Sequence, residues 1–280
     1  MMTRQKPAFL TAPPEQPPVD PRFRAIAEAA RTSLYEAARY LIGLPPFPTE
    51  QEKSVWMWHT ALATLAWDVA DITIPAAAES SSLRGARALN RMLLEYAARV
   101  HLYIVDPPLA QVHMSEAANM LRRVMKPVAG APLTDPGIGD IRKFVSSGTT
   151  KATQPKTDVM FDAMVSTFVK DPTKRPEFVA YLEADYAMGN AYVHGSQTAF
   201  FDIFDGGKGQ LNPRTRVLHR QAEVMRCTNC MIALLGGLEI RYGQDFGAGR
   251  HVASLSALGP YDTITSMGTH DTLMKLLGIG

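Results

Sequence analysis

The stretch Ser80–Val105, SSSLRGARALNRMLLEYAARVHLYIV, decides how the rest of the chain is read. At about 100° per residue, Leu89, Leu93, Tyr96, Val100 and Tyr103 fall within about 80° of one another, the stripe of a core-facing helix. Arg87, Arg91, Glu95 and Arg99 lie away from that stripe in i,i+4 steps. On a plain surface such a ladder is solvated, and each pair contributes only about 0.2–0.5 kcal/mol. Ala88, Leu94, Ala98 and Leu102 stand among the charges, however, so apolar residues nearly surround the helix. A helix that is apolar on most sides is buried, and charges carried inside need partners. The spacing leaves three readings open: a surface ladder, a buried structural pair and a functional site.

A second stretch, Phe178 to Asp205, is read against the first. Glu183, Asn190, His194 and Gln197 share one helical face within about 60°, with Leu182, Tyr186, Val193, Phe200 and Phe204 beside them. Gly189, Gly195 and Ser196 are poor helix formers, each glycine costing about 1 kcal/mol against alanine. Small residues there let another backbone or a ligand come close. Taken alone, His194 reads as a half-buried histidine bonded to a neighbour. Taken together, Arg91 as an anion holder, Glu95, Asn190 and His194 as a general base form a candidate site between two central helices.

Two short motifs carry a resemblance. Arg91-x-x-Leu94-Glu95, followed by Tyr186-x-x-x-Asn190-x-x-x-His194-Gly195-Ser196, resembles a family of bacterial all-helical proteins of unknown function. That family reads Tyr-x-x-x-Ser-x-x-x-His-Gly/Pro-Ser, so this chain departs from it at Asn190. The resemblance spans roughly residues 25–240. It implies a helical fold and a polar cluster that includes Arg91, Glu95 and His194, and it implies no activity.

The totals narrow the classes. At 280 residues the chain can build one large domain or two small ones. With 46% hydrophobic and 20% charged residues it has the composition of a globular protein. A net charge of +2 leaves no strong footprint for nucleic acid or an anionic membrane. The longest apolar runs, such as Met231 to Leu235, fall far short of the roughly 20 residues of a membrane span, so no membrane association is expected. Residues 1–19 lack the apolar segment and cleavage site of a secretory signal. Two cysteines exclude a disulfide framework, and a reducing cytoplasm is the expected compartment.

Taken in order, residues 1–20 form a Pro-rich arm expected to be disordered, and 21–280 a single all-helical domain. Asp20-Pro21 is a cap followed by a proline at the first helical position, opening a helix to Gly43. Thr49-x-x-Glu52 is a capping box for a long apolar helix to about Ile74. On that helix Asp68 and Asp71 are positioned to complement arginines of the next one. Ser80-Ser81-Ser82 caps Ser80–Val105, and Asp106-Pro107 ends it. A fourth helix runs from Pro107 to Val128. His113 and Glu116 on it are i,i+3, but a di-metal carboxylate bundle would require Glu-x-x-His twice, and none occurs. No metal and no cofactor is therefore expected.

Residues 129–157 read as a loop-rich linker with one short helix at Ile138–Phe144. Gly137-x-Gly139 lacks the third glycine and the preceding strand of a phosphate loop. Lys156–Val169 reads as a short amphipathic helix, and Asp205–Gly209 as a turn. Pro213 opens a helix to Tyr242, and two more are expected at His251–Leu258 and His270–Leu277. His251 and His270 read as surface residues. Cys227-x-x-Cys230 lies well inside its helix rather than at a strand–helix junction, so it reads as two small buried residues.

Arg214-x4-His219 matches the spacing of HEPN ribonucleases, in which arginine holds a phosphate and histidine assists attack by a 2′-hydroxyl. With 7 histidines in the chain, chance placement gives about one such pair, so the match adds little. Arg214 and His219 stand as an alternative site pair. The fold expected is all-α, one multi-helix bundle of about seven to nine helices. Three functions remain: a HEPN-like RNA-cleaving or defence-related protein, a module binding an anionic small molecule, and a non-catalytic interaction bundle. The partners considered are RNA or an anionic small molecule, with a homodimer left open.

Overall fold

The computed structural model describes residues 18–45, 47–79, 83–132, 137–149, 155–194 and 220–258. Among them nine α-helices and no strand occur: α1 Pro21–Ile42, α2 Glu50–Glu79, α3 Leu83–Val105, α4 Pro107–Gly130 and α5 Ile138–Ser146, then α6 Thr157–Phe168, α7 Arg175–His194, α8 Arg220–Tyr242 and α9 Ala248–Ser256. The chain is all-α, as the 3.6-residue patterning predicts. Most of the Pro-rich arm, the serines at 80–82, the turn at 205–209 and the helix expected at 270–277 lie outside the described residues, as does His270.

Local chemistry explains where helices start and stop. Asp20 accepts a hydrogen bond from the Arg22 backbone N–H at 2.9 Å, with Pro21 at the first helical position. Thr49 Oγ1 accepts from the Glu52 N–H at 3.2 Å and donates to the Glu52 carboxylate at 2.9 Å, opening α2. Instead of ending near Ile74, α2 continues through Pro75 to Glu79. α9 begins after Gly247, whose φ of 94° lies in the left-handed region. Glu239 Oε1 accepts from the N–H groups of Phe246 and Ala248, each at 2.9 Å, and so satisfies that helix start.

α3 is the axis of the bundle. It packs against α2, α4, α6, α7 and α8, while α1 lies on α2, α8 and α9. Leu93, Val100 and Tyr103 of its apolar face are buried, and so is Leu102 on the opposite side. α8 meets it closely because Gly237 has no side chain: a Cβ there would stand 2.9 Å from Val100 Cγ1 and 3.0 Å from the His101 ring. Two buried histidines tie the layers. His59 Nε2 faces the Val100 carbonyl at 3.2 Å and its Nδ1 the Tyr242 hydroxyl at 3.1 Å. His101 Nε2 faces the Ala233 carbonyl at 2.9 Å and its Nδ1 the Thr167 hydroxyl at 2.8 Å. A neutral ring serves both roles, N–H to the carbonyl and lone pair to the hydroxyl.

α2 is the one helix among the described residues long and apolar enough to cross a membrane, its best window having a mean hydropathy of 1.2. The short apolar runs hide this, because the hydropathy is spread along the helix. α2 packs against α1, α3, α4 and α8 and buries Ser54, His59 and Thr73. α4 and α5 form a hairpin in which Arg122 Nε donates to the Phe144 carbonyl at 3.1 Å and Arg142 donates to those of Ala129 and Ala131 at 3.0 Å. Beyond Ala110 and His113 nothing on α4 is buried, and Leu121 and Val124 are exposed.

Several local expectations are corrected. Asp71 pairs with Arg31 of α1, not with an arginine of α3, because α1 covers that side of α2. His251 is buried and bonded to Ser33 Oγ at 2.9 Å rather than a surface residue, because α9 folds back onto α1. The linker at 129–157 contains α5 as a nine-residue helix, slightly longer than expected.

Candidate polar site between α3 and α7

Where α3 meets α7 polar groups turn inward. Beside Leu182 and Ala191, α7 buries Asp185 and Gly189 and half-buries Tyr186 and Asn190, while Tyr181, Ala184, Ala187 and Val193 are exposed. The inward polar groups follow from α3, whose charged face turns toward α7: a helix docking there must bring polar groups inward. Gly189 makes the approach possible. A Cβ built on it would stand 2.5 Å from Arg91 Cβ and 3.6 Å from the Arg87 carbonyl oxygen.

Two linked clusters fill the seam. In the outer one, Arg91 Nη2 donates to the Tyr186 hydroxyl at 2.5 Å, and that hydroxyl donates to Glu95 Oε2 at 3.0 Å. Arg91 Nη2 also lies 3.3 Å from Glu95 Oε2, and its guanidinium carbon sits 4.6 Å from the centre of the Tyr186 ring. Arg99 holds the other carboxylate oxygen through Nε at 3.1 Å and Nη2 at 2.7 Å. Burial, and then the neighbouring Glu95 carboxylate, raise the pKa of the Tyr186 phenol, so it stays a proton donor. The side chains of Arg91, Glu95 and Arg99 keep 21, 15 and 16% of their surface, so this cluster reaches solvent.

The inner cluster is sealed. Arg87 pairs with Asp185, and its Nη1 lies 3.7 Å from Glu223 of α8. Arg226 of α8 donates to Glu223 at 2.6 Å, and its Nε lies 3.3 Å from Asp185. Asn90 Nδ2 donates to both the backbone and side-chain oxygens of Glu223, at 2.9 and 2.8 Å. Two guanidiniums and two carboxylates cancel, which is the condition for burying them. Burial alone would lower the pKa of Arg226, but Asp185 and Glu223 beside it raise it.

Hydrogen bonding in this seam is incomplete. Arg87 Nη1, Asn90 Oδ1, Arg91 Nε, Asn190 Oδ1 and Arg226 Nε are all buried and, among the described residues, have no hydrogen-bond partner. Protein interiors leave few such atoms, and a concentration of them in one place asks for an explanation.

The residues named from sequence fare unequally. Arg91 and Glu95 come together. Asn190 lies on the same side of α7 as Tyr186, one turn further on. His194 is the last residue of α7, and its side chain lies outside what is described, as do Arg214, His219 and Gln197. The reading from spacing missed Asp185, Glu223, Arg226 and Asn90. A signal existed in Asp185, a carboxylate on the face that docks against α3, but i,i+4 spacing alone does not single it out. Cys227 and Cys230 are buried, and burial first of all raises both thiol pKa values. Protonated thiols there are inert. His113 faces the Tyr103 hydroxyl at 3.1 Å, and no metal-ligand cluster occurs among the described residues.

Compared with family models, curated proteins and solved structures, the chain finds no match in any of the three.

Proposed function

We propose that this protein is a helical module that binds an anionic small molecule at the seam between α3 and α7, with Arg91 as the anion holder. The observation that carries this reading is the Arg91 guanidinium, whose Nε–H is buried without an acceptor. Its Nη2 is engaged by Tyr186 and Glu95. A guanidinium held by two partners presents its remaining donor in a fixed direction, so little side-chain freedom is lost on binding. The inner cluster supports the outer one: Asp185 anchors α7 through Arg87 and Arg226, keeping Tyr186 over Arg91.

An RNA-cleaving function of the HEPN kind uses a histidine as base, and here that role falls to His194 or to His219 beside Arg214. Glu95 does not serve, since Arg91, Arg99 and the Tyr186 hydroxyl all engage its carboxylate. The test is thermal unfolding of the full chain with phosphate, acetate and glycolate at constant ionic strength. A rise in Tm that is lost in Arg91→Met supports anion binding at this seam. Equal shifts in both proteins sink it. Cleavage of a single-stranded RNA, abolished by His194→Ala or His219→Ala, would favour the ribonuclease instead.

A further inference from the structure

The far half of α4 carries an apolar stripe that continues the face buried in its near half. At about 100° per residue, Ala117, Leu121, Val124 and Val128 fall within about 60° of one another. Ala110 lies in the same arc, fully buried, with its carbonyl accepting from the Trp58 indole N–H at 3.0 Å. Buried His113 lies about 20° outside that arc. One face therefore turns into the bundle at its start and then runs on into solvent, where Leu121 is 51% and Val124 62% exposed. α5 packs on another side of α4, where the Arg122 guanidinium carbon sits 4.8 Å from the centre of the Phe144 ring. An exposed apolar stripe continuous with a core face marks an interaction surface.

Spacing and charge identify the occupant. Positions 117, 121, 124 and 128 step by four, three and four, the repeat by which one helix seats against another. Glu116, Arg122, Arg123 and Lys126 all lie more than about 100° from the middle of the stripe. On α5, Asp140 and Lys143 lie 3.9 Å apart, and Arg142 donates back to the Ala129 and Ala131 carbonyls. An anionic membrane or a charged peptide is met by charges flanking the apolar stripe. Half-buried Met114, Met120 and Met125 flank this one instead. A second copy offers the same uncharged seam, and a net charge of +2 sets little long-range repulsion between copies. The outer face of α2 exposes Met57, Leu65 and Ile72, but Asp68 lies among them and would be buried without a partner.

We propose that the far half of α4 is the interface of a reversible homodimer, its apolar stripe packing antiparallel against the same stripe of a second copy about a two-fold axis at Leu121. The alignment is antiparallel because the first turns of α4 are occupied by their own bundle. Only that alignment sets the two bundles at opposite ends of the seam. From 114 to 128 the seam is about 22 Å long, too short for the surface a permanent dimer buries, so the copies separate on dilution.

Sedimentation velocity over about a hundredfold range of concentration reads this equilibrium, the mass rising from 30.7 kDa toward twice that value. Leu121→Glu sets two carboxylates against each other at the axis and weakens association by at least about tenfold. Leu121→Lys has the same effect, and an equimolar mixture of the two variants restores a mixed dimer. A defect in folding gives no such rescue. Circular dichroism and Tm confirm that each variant folds, as expected for a half-exposed position. Ile72→Glu on α2 leaves association unchanged. Amides of 114–128 exchange fast in dilute protein and slowly in concentrated protein. A mass of 30.7 kDa at every concentration overturns the proposal, as does a dimer that Leu121→Glu leaves intact or Ile72→Glu disrupts. Monomers that co-sediment with phosphatidylserine vesicles, and lose this in Leu121→Glu, would assign the face to a lipid surface instead.

Discussion

Arg91 and Gly189 show how single residues set the geometry of the seam. Arg91 is pinned because Gly189 has no side chain to hold α7 away from its Cβ. Gly189→Ala places a methyl group 2.5 Å from Arg91 Cβ, an atom fixed to the α3 backbone that cannot swing aside. Overpacking of this kind costs about 1–3 kcal/mol, offset by about 1 kcal/mol of helix propensity. The expected result is a lower urea midpoint and a weaker response to anions. Gly139→Ala in α5, where a Cβ meets nothing within 4 Å, is the matched control and should leave stability unchanged or slightly raised. If both variants behave alike, close approach at Gly189 is not what holds α7.

Among the elements, α7 and the α4–α5 hairpin differ in how they are attached. α7 is held by ion pairs to two helices, through Asp185 to Arg87 of α3 and Arg226 of α8. The hairpin is held mainly to itself: Arg122 and Arg142 stitch α5 to the far half of α4, and α5 packs on α4. Local stability follows buried apolar contact, of which the far half of α4 has little. Amide hydrogen exchange should therefore be fastest in α5 and residues 115–130 of α4, and slowest in α3 and α8. Equal protection across the hairpin and α3 would mean that the hairpin is covered in solution.

At the scale of the molecule, the buried histidines make stability depend on pH. Burial pushes the pKa of His59 down to about 3 and that of His101 down to about 4, from an ordinary 6.5. In the unfolded chain both take up protons as pH falls through 6.5, while in the folded bundle they stay neutral. Stability is thus complete above pH 6.5, declines as pH falls toward 4, and levels off below the folded values. At pH 5 the loss is about 2 kcal/mol for each histidine, about 4 kcal/mol for both. Urea unfolding between pH 7.5 and 4.5 measures it, and in His59→Gln the loss at pH 5 should shrink by about 2 kcal/mol. A slope unaffected by either histidine would refute the account.

The helices and several of their starts were legible in the sequence because they rest on local physics. Asp20-Pro21 and Thr49-x-x-Glu52 act within one turn, and a 3.6-residue apolar period declares itself in any window of a dozen residues. The candidate site was legible only in part. Arg91 and Glu95 are four residues apart on one helix, so their meeting could be read directly. The partners that make it a seam are not local: Asp185 lies 98 residues from Arg87, and Glu223 lies 133 residues from Asn90. Ionic attraction is blind to sequence separation, and many carboxylates compete for each arginine until packing selects one. Sequence by itself therefore determined an all-helical chain with a charged central helix that is apolar on most sides, and left open whether its charges are buried. Tertiary structure alone decided which charges cancel, which polar atoms stay unpaired and where α7 turns its polar face inward, because those outcomes depend on which helices dock against α3.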